Sequence, residues 1–201
     1  MRNTANNINN ISGREIKKVY NLRVEKLVRE ASDTFIYYRD CETALEQVNE
    51  ALSIEPDHIK ALILKGDILF CIDKDKEALE YFDKAINADP YSAEAYGSKA
   101  GTLDVLGHQK EALQCCEKAF ENISCKDRDL LPSLYDQKIA ILVRMKKFEE
   151  AKDALKMCMK NLPEEDGSYL VSCYQGVIES SCREKQRKLE KANKMALKLV
   201  Y

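Results

Sequence analysis

Apolar residues recur along the chain in short stripes at helical spacing, separated by polar breaks. Leu62, Gly66 and Leu69 step by four and three, and Ala78, Phe82 and Ala85 repeat the step beyond the break Asp73-Lys74-Asp75. Each stripe predicts an amphipathic helix, and two stripes joined by a short break predict an antiparallel helix pair. The aspartates of the break suit the start of the second helix. In the next pair Gly107-His108 takes that place, where glycine can supply the positive φ common at helix ends. Pro90 closes the pair before the next helix begins.

The pattern is periodic. Segments beginning at Glu25, Ile59 and Ala93 align without a gap, and Ala44, Ala78 and Ala112 recur at intervals of 34 residues, as do Pro56 and Pro90. A looser fourth copy places Ala151 39 residues after Ala112, so five residues are inserted between Asn122 and Leu131. The expected organisation is an Asn-rich disordered tail (1–12) and a capping or elongated helix (13–24), with Ser12 and Glu15 as a capping box. Repeats follow at 25–58, 59–92 and 93–126, then an insertion at 127–131 and a fourth repeat at 132–165. A partial fifth repeat (166–182) and a basic amphipathic helix (183–201) end the chain, the latter with Leu189, Ala192, Ala196, Leu199 and Val200 on one stripe.

These copies resemble tetratricopeptide repeats. That family asks for a large residue, a small one four later, a Leu or Tyr, a turn, then Ala, an aromatic, Ala and Pro. The second copy supplies Leu62, Gly66, Leu69, Ala78, Phe82, Ala85 and Pro90. The third has Tyr96, Ala100, Leu103, Gly107, Ala112, Cys116 and Ala119, with Ser124 in place of proline. The first has Val28, Ser32, Phe35, Ala44, Val48, Ala51 and Pro56; the fourth has Tyr135, Ile139, Leu142, Ala151, Leu155, Cys158 and Pro163. The resemblance covers about three-quarters of the chain. It implies an all-α fold, a right-handed α-α superhelix (solenoid) of four to five helix-turn-helix repeats. Small residues would let paired helices approach, and stacking of neighbours would bury what one repeat cannot.

The resemblance also implies a concave groove lined by the first helix of each repeat. Carried onto this sequence, the groove positions are Arg29, Asp33, Ile36 and Tyr37 in the first copy, and Ile63, Asp67, Phe70 and Cys71 in the second. Gly97, Gly101, Asp104 and Val105 follow in the third, and Asp136, Ala140, Val143 and Arg144 in the fourth. Such a surface is both acidic and apolar, with the glycines leaving room at its middle. It suits a protein or peptide ligand with apolar anchors and basic residues. The carboxylate-gripping clamp of some family members is not expected, because its slots hold Arg29, Asp33, Leu64, Glu94 and Ser98, or Ile63, Asp67, Ser98, Ser133 and Gln137 one copy later.

Composition narrows the function. With seven Gly and four Pro in 201 residues, the chain is poor in the turns that a β-sandwich needs. A net charge of −2 argues against nucleic acid as a partner. Eight cysteines without a C-x-x-C spacing, beside only two histidines, suit reduced core residues of a cytoplasmic protein rather than zinc ligands. Cys116 occupies the buried aromatic slot of Phe82, and His58 and His108 fall in turns as surface residues. No phosphate loop, nucleophile elbow or H-E-x-x-H motif is present, so neither catalysis nor a cofactor is expected. No apolar leader or bilayer-spanning run is seen. Residues 183–201 carry a net +5, leaving −7 for the rest. The expected role of that segment is to cover the last repeat; contact with an anionic membrane or acidic partner is the alternative. The function expected is a non-catalytic interaction adaptor or scaffold. The alternatives are a self-assembling scaffold, recruited to a membrane through the basic helix, and a small secretion-type chaperone.

Overall fold

The computed structural model describes residues 13–200, with side chains from Val19 to Lys191. The Asn-rich segment 1–12, including Ser12 of the expected capping box, lies outside the described residues, as do the side chains of Ala192, Ala196, Leu199 and Val200. The described residues form nine α-helices. They are α1 (Gly13–Asp33), α2 (Cys41–Ile54), α3 (Ile59–Cys71), α4 (Asp75–Ala88), α5 (Ala93–Val105), α6 (Gln109–Asn122), α7 (Leu131–Arg144), α8 (Phe148–Asn161) and α9 (Glu164–Val200). The chain divides after Ser98 into two compact units.

In the first unit, α1 packs on α2 and α3 on α4. Val24, Val28 and Ala31 of α1 bury themselves against Ala44, Val48 and Ala51 of α2 and Ala61, Leu64 and Ile68 of α3. A second cluster gathers Leu62, Ile63 and Leu69 of α3, Ala78, Phe82 and Ala85 of α4, and Ala95. Alanines at the crossing points bring the backbones together, and one glycine goes further. A Cβ placed on Gly66 would lie 2.8 Å from Cδ1 and Cζ of Phe82 and closer still to Cε1. Phe82 is fully buried, so its ring has nowhere to retreat.

In the second unit, α6 packs on α7, α7 on α8, and α8 on α9. Tyr135 meets the ring of Phe120 edge-on with centroids 4.9 Å apart, and its hydroxyl accepts a 2.7 Å hydrogen bond from Asn161. Cys116 and Cys158 are fully buried, and burial pushes the Cys116 thiol up to about 12. A protonated, enclosed thiol is a small apolar filler, not a nucleophile. The five-residue insertion is ordered by the Asp127 carboxylate, which accepts from Ser124 N–H at 3.2 Å, and by a 3₁₀ turn at Arg128–Leu130.

The turns within repeats obey one geometry. Arg39, Asp73, Gly107 and Lys146 all have positive φ, at 56°, 59°, 84° and 58°. In three of the turns the next amide reaches back five residues, from Lys74 to Leu69 at 2.9 Å, His108 to Leu103 at 2.9 Å and Lys147 to Leu142 at 2.9 Å. This is the Schellman end of a helix. It corrects one expectation: Asp73 ends α3 rather than starting α4, whose N-cap is Lys74 without a side-chain bond.

The first repeat departs from the rule. The Thr34 hydroxyl donates to the Glu30 carbonyl at 2.8 Å, and the helix widens from there into a π turn over Thr34–Tyr38. Asp40 then caps α2, accepting from Thr43 N–H at 3.0 Å. His58 likewise is more than a surface histidine. Its Nδ1 accepts from Ala61 N–H at 3.3 Å to cap α3, and Nε2 stands 3.4 Å from the Glu25 carboxylate. A last difference concerns the end of the chain. The sequence pattern separates 166–182 from 183–201, whereas α9 runs through both without a break. Its packing face includes Leu170 and Ile178, but every side chain from Arg183 to Lys191 is exposed, so this part covers nothing.

Two glycines and one lysine put the packing to the test. Gly-to-Ala inside a helix ordinarily gains about 1 kcal/mol. At Gly66 the clash with Phe82 should outweigh this, for a net loss of about 1–3 kcal/mol. At Gly176, which has nothing within 4 Å of its Cβ position, the ordinary gain should appear. Equal urea midpoints for the two variants would refute the packing account. Lys146→Gly should relieve left-handed strain and raise stability by up to about 1 kcal/mol, and a lowered midpoint would count against that reading.

Candidate protein-binding surface

In the first unit the expected groove positions lie on the end of α1, the π turn, α3 and the start of α5. Arg29 and Asp33 are exposed, and the π turn turns Ile36 and Tyr37 outward at 52% and 76% exposure. Tyr38, which the apolar spacing did not single out, is 78% exposed beside them. Phe35 instead leans against the core and is half-buried, so the widened turn separates one packed aromatic from three exposed apolar side chains. On α3, Phe70 is half-buried against the second core cluster and Cys71 is exposed at the helix end, within electrostatic reach of Arg39. Ile63 needs correcting. It is 2% exposed inside that cluster and offers no surface. Gly97 is also buried.

Asp67 is the chemically unusual group. Burial pushes its carboxyl up to about 7; a hydrogen bond from the Ser98 hydroxyl opposes the shift and the Glu94 carboxylate adds to it. At neutral pH Asp67 is therefore only partly charged.

In the second unit the expected acidic positions are answered from within. Asp104 is buried and ion-paired to Arg144, with its Oδ1 enclosed and unpartnered. Asp136 accepts a 2.7 Å hydrogen bond from the Tyr174 hydroxyl, whose proton is held well above the ordinary tyrosine range by burial and by that carboxylate. Nor is Gly101 an opening, since a Cβ there would stand 3.3 Å from Nε2 of Gln137. Ala140 and Val143 are half-buried, and Val105 is 68% exposed. Tyr174 was legible only as a helix residue, because its partner Asp136 lies on another helix 38 residues away.

Comparison with known proteins identifies one repeat and the fold. Residues 59–92 match the model of the family described as tetratricopeptide repeat. That match holds Gly66 and Phe82 at their facing places. Among solved structures, a MamA protein superposes with a TM-score of 0.57 at 19% identity, covering 74% of this chain and 78% of that one. PilF of Pseudomonas aeruginosa gives 0.64 at 17% identity over 81% and 75%. The Sgt2 TPR domain from Aspergillus fumigatus gives 0.54 at 17% over 63% and 82%. Residues 59–92 form a tetratricopeptide repeat, and the chain has the fold of tetratricopeptide-repeat structures. No curated protein matches the sequence.

At such identities the likeness is one of fold. The tetratricopeptide fold supports a protein-interaction adaptor or scaffold in general. Among the described residues no group of three His, Cys, Asp or Glu side chains is placed to hold a metal ion, and no helix is long and apolar enough to cross a membrane.

Asp67 makes the first unit sensitive to pH. Its folded value of about 7 exceeds its ordinary 3.8, so the folded state holds a proton that the unfolded state releases. The contribution of Asp67 to stability is therefore greatest below about pH 4, falls as pH rises toward 7, and stays reduced above it. Asp67→Asn should remove a penalty on the order of 2–4 kcal/mol at pH 8 and gain much less at pH 4. Urea melts of the two proteins at both pH values check this, and a pH-independent difference would contradict it.

Proposed function

We propose that this chain is a non-catalytic adaptor that holds a peptide or helix of a partner protein on the α1–α3 face of its first unit. The observation that carries the reading is the cluster of Ile36, Tyr37 and Tyr38, thrown outward by the π turn and left exposed. Rigid aromatic and aliphatic groups on a fixed helix end are good anchors, since little conformational freedom is lost when they are covered. Asp33 is exposed on the same helix end, which favours a ligand combining apolar anchors with a Lys or Arg. In the second unit, the Asp104–Arg144 and Asp136–Tyr174 pairings leave less charge to offer. A self-assembling scaffold is the second reading, favoured by Val19 and Leu22, one helical turn apart on α1 and 63% and 62% exposed.

Ile36→Ser with Tyr37→Ala should weaken the captured partner roughly tenfold or more, at an unchanged urea midpoint. Titration of the purified partner against both proteins checks it. Unchanged affinity would remove this face from the account, and loss of self-association in a Val19→Lys/Leu22→Lys variant would favour the scaffold.

A further inference from the structure

Helix α9 outlasts the surface it packs on. It runs antiparallel to α8: Gly167 lies against Met159 near the end of α8, and the Cys182 thiol donates to Glu149, one residue into α8, at 3.4 Å. Ile178, one turn before Cys182, is 1% exposed. Beyond Cys182 α8 has no more length to offer, yet α9 continues to Val200, about 27 Å further at 1.5 Å per residue. Every side chain from Arg183 to Lys191 is exposed, and the ion pair at 2.6 Å, Lys188 with Glu184, lies within the segment itself.

The exposed stretch is two-sided. Arg183, Arg187 and Lys191 follow one another at intervals of four along one side of the helix, while Leu189, 62% exposed, falls on the opposite side, in line with Cys182 and Ile178. That line passes Lys185 and Gln186 before it reaches Leu189, which is the one apolar side chain between Arg183 and Lys191. In sequence, 183–201 holds seven Lys and Arg against two Glu, while the remainder of the chain is net −7. A row of like charges at i, i+4 repels itself in water, and this row has no acidic neighbour on another helix among the described contacts.

We propose that α9 beyond Cys182 is a peripheral docking element for an anionic phospholipid surface. Lying in the headgroup layer, the helix would bury the Leu189 side and set Arg183, Arg187 and Lys191 among lipid phosphates, which relieves both the exposure of Leu189 and the charge repulsion. A protein groove over the Leu189 side alone would leave the basic row uncompensated. The acidic remainder of the chain is repelled by the same surface, so contact is confined to this segment. The assignment reverses the sequence expectation that the segment covers the last repeat, and it is independent of the α1–α3 reading.

The test is co-sedimentation of the full chain with phosphatidylcholine vesicles, with and without phosphatidylserine, over a range of salt. Phosphatidylserine should raise the bound fraction at least tenfold, and added salt should reverse the gain. Arg187→Glu with Lys191→Glu should lower binding about tenfold or more, and Leu189→Ser should weaken it at every salt concentration, all at an unchanged urea midpoint. Absence of phosphatidylserine-dependent binding, or binding indifferent to both variants, would overturn the proposal. So would a concentration-dependent mass that these variants abolish in the absence of vesicles, which would assign the segment to a second copy of the chain.

Discussion

The ring of Phe82 lies against the backbone of α3 at Gly66, with no room for a side chain between them. The pairing of α3 with α4 depends on this approach, because it lets Leu62, Ile63 and Leu69 meet Ala78 and Ala85 in one closed cluster. The other repeats place different residues at the same two slots: Ser32 and Val48, Ala100 and Cys116, Ile139 and Leu155. Where the first slot carries a side chain, the second holds no aromatic ring. Only the repeat with glycine keeps the ring, and it is the repeat matched by the family model. Close packing sets this relation, since a buried ring cannot yield to even one added methyl without displacing its neighbours.

From that scaffold the chemistry of the exposed faces follows. Helices held close together bury polar groups near their seams, and each must find a partner or lose its charge. Asp104 finds Arg144, and Asp67 keeps the Ser98 hydroxyl while its carboxyl rises toward neutrality; Asp136, which is exposed, accepts from the Tyr174 hydroxyl. A face that reads as acidic in one dimension is therefore largely compensated in three. What stays outward in the first unit is apolar: Ile36, Tyr37 and Tyr38, presented where a threonine hydroxyl coincides with a widened helix turn.

Much of the fold was legible because repetition multiplies a weak signal. One stripe of apolar residues is ambiguous, but Ala44, Ala78, Ala112 and Ala151 in phase identify the crossing points, and all four are fully buried. Turn geometry was legible at Gly107 and not at Arg39, Asp73 or Lys146, since only glycine advertises a positive φ. Burial on the inner faces was harder to read. Ile63 occupies a slot that faces outward in the family pattern, yet a large apolar side chain gains more by joining Leu62 and Phe82. The pairings Arg144–Asp104 and Tyr174–Asp136 join residues 40 and 38 positions apart, a separation no local pattern encodes. The unbroken run of α9 was hidden by its change of composition at Cys182, although nothing there breaks a helix.

A double-mutant cycle between Gly66→Ala and Phe82→Leu, read by urea unfolding, tests the central claim most directly. If the ring and the absent side chain share one space, trimming the ring should cost clearly less in the Gly66→Ala background than in the wild type. The coupling should be on the order of 0.5–3 kcal/mol, in the direction of rescue. Additive losses would mean that the two residues do not constrain each other, and the packing account of the fold would fail.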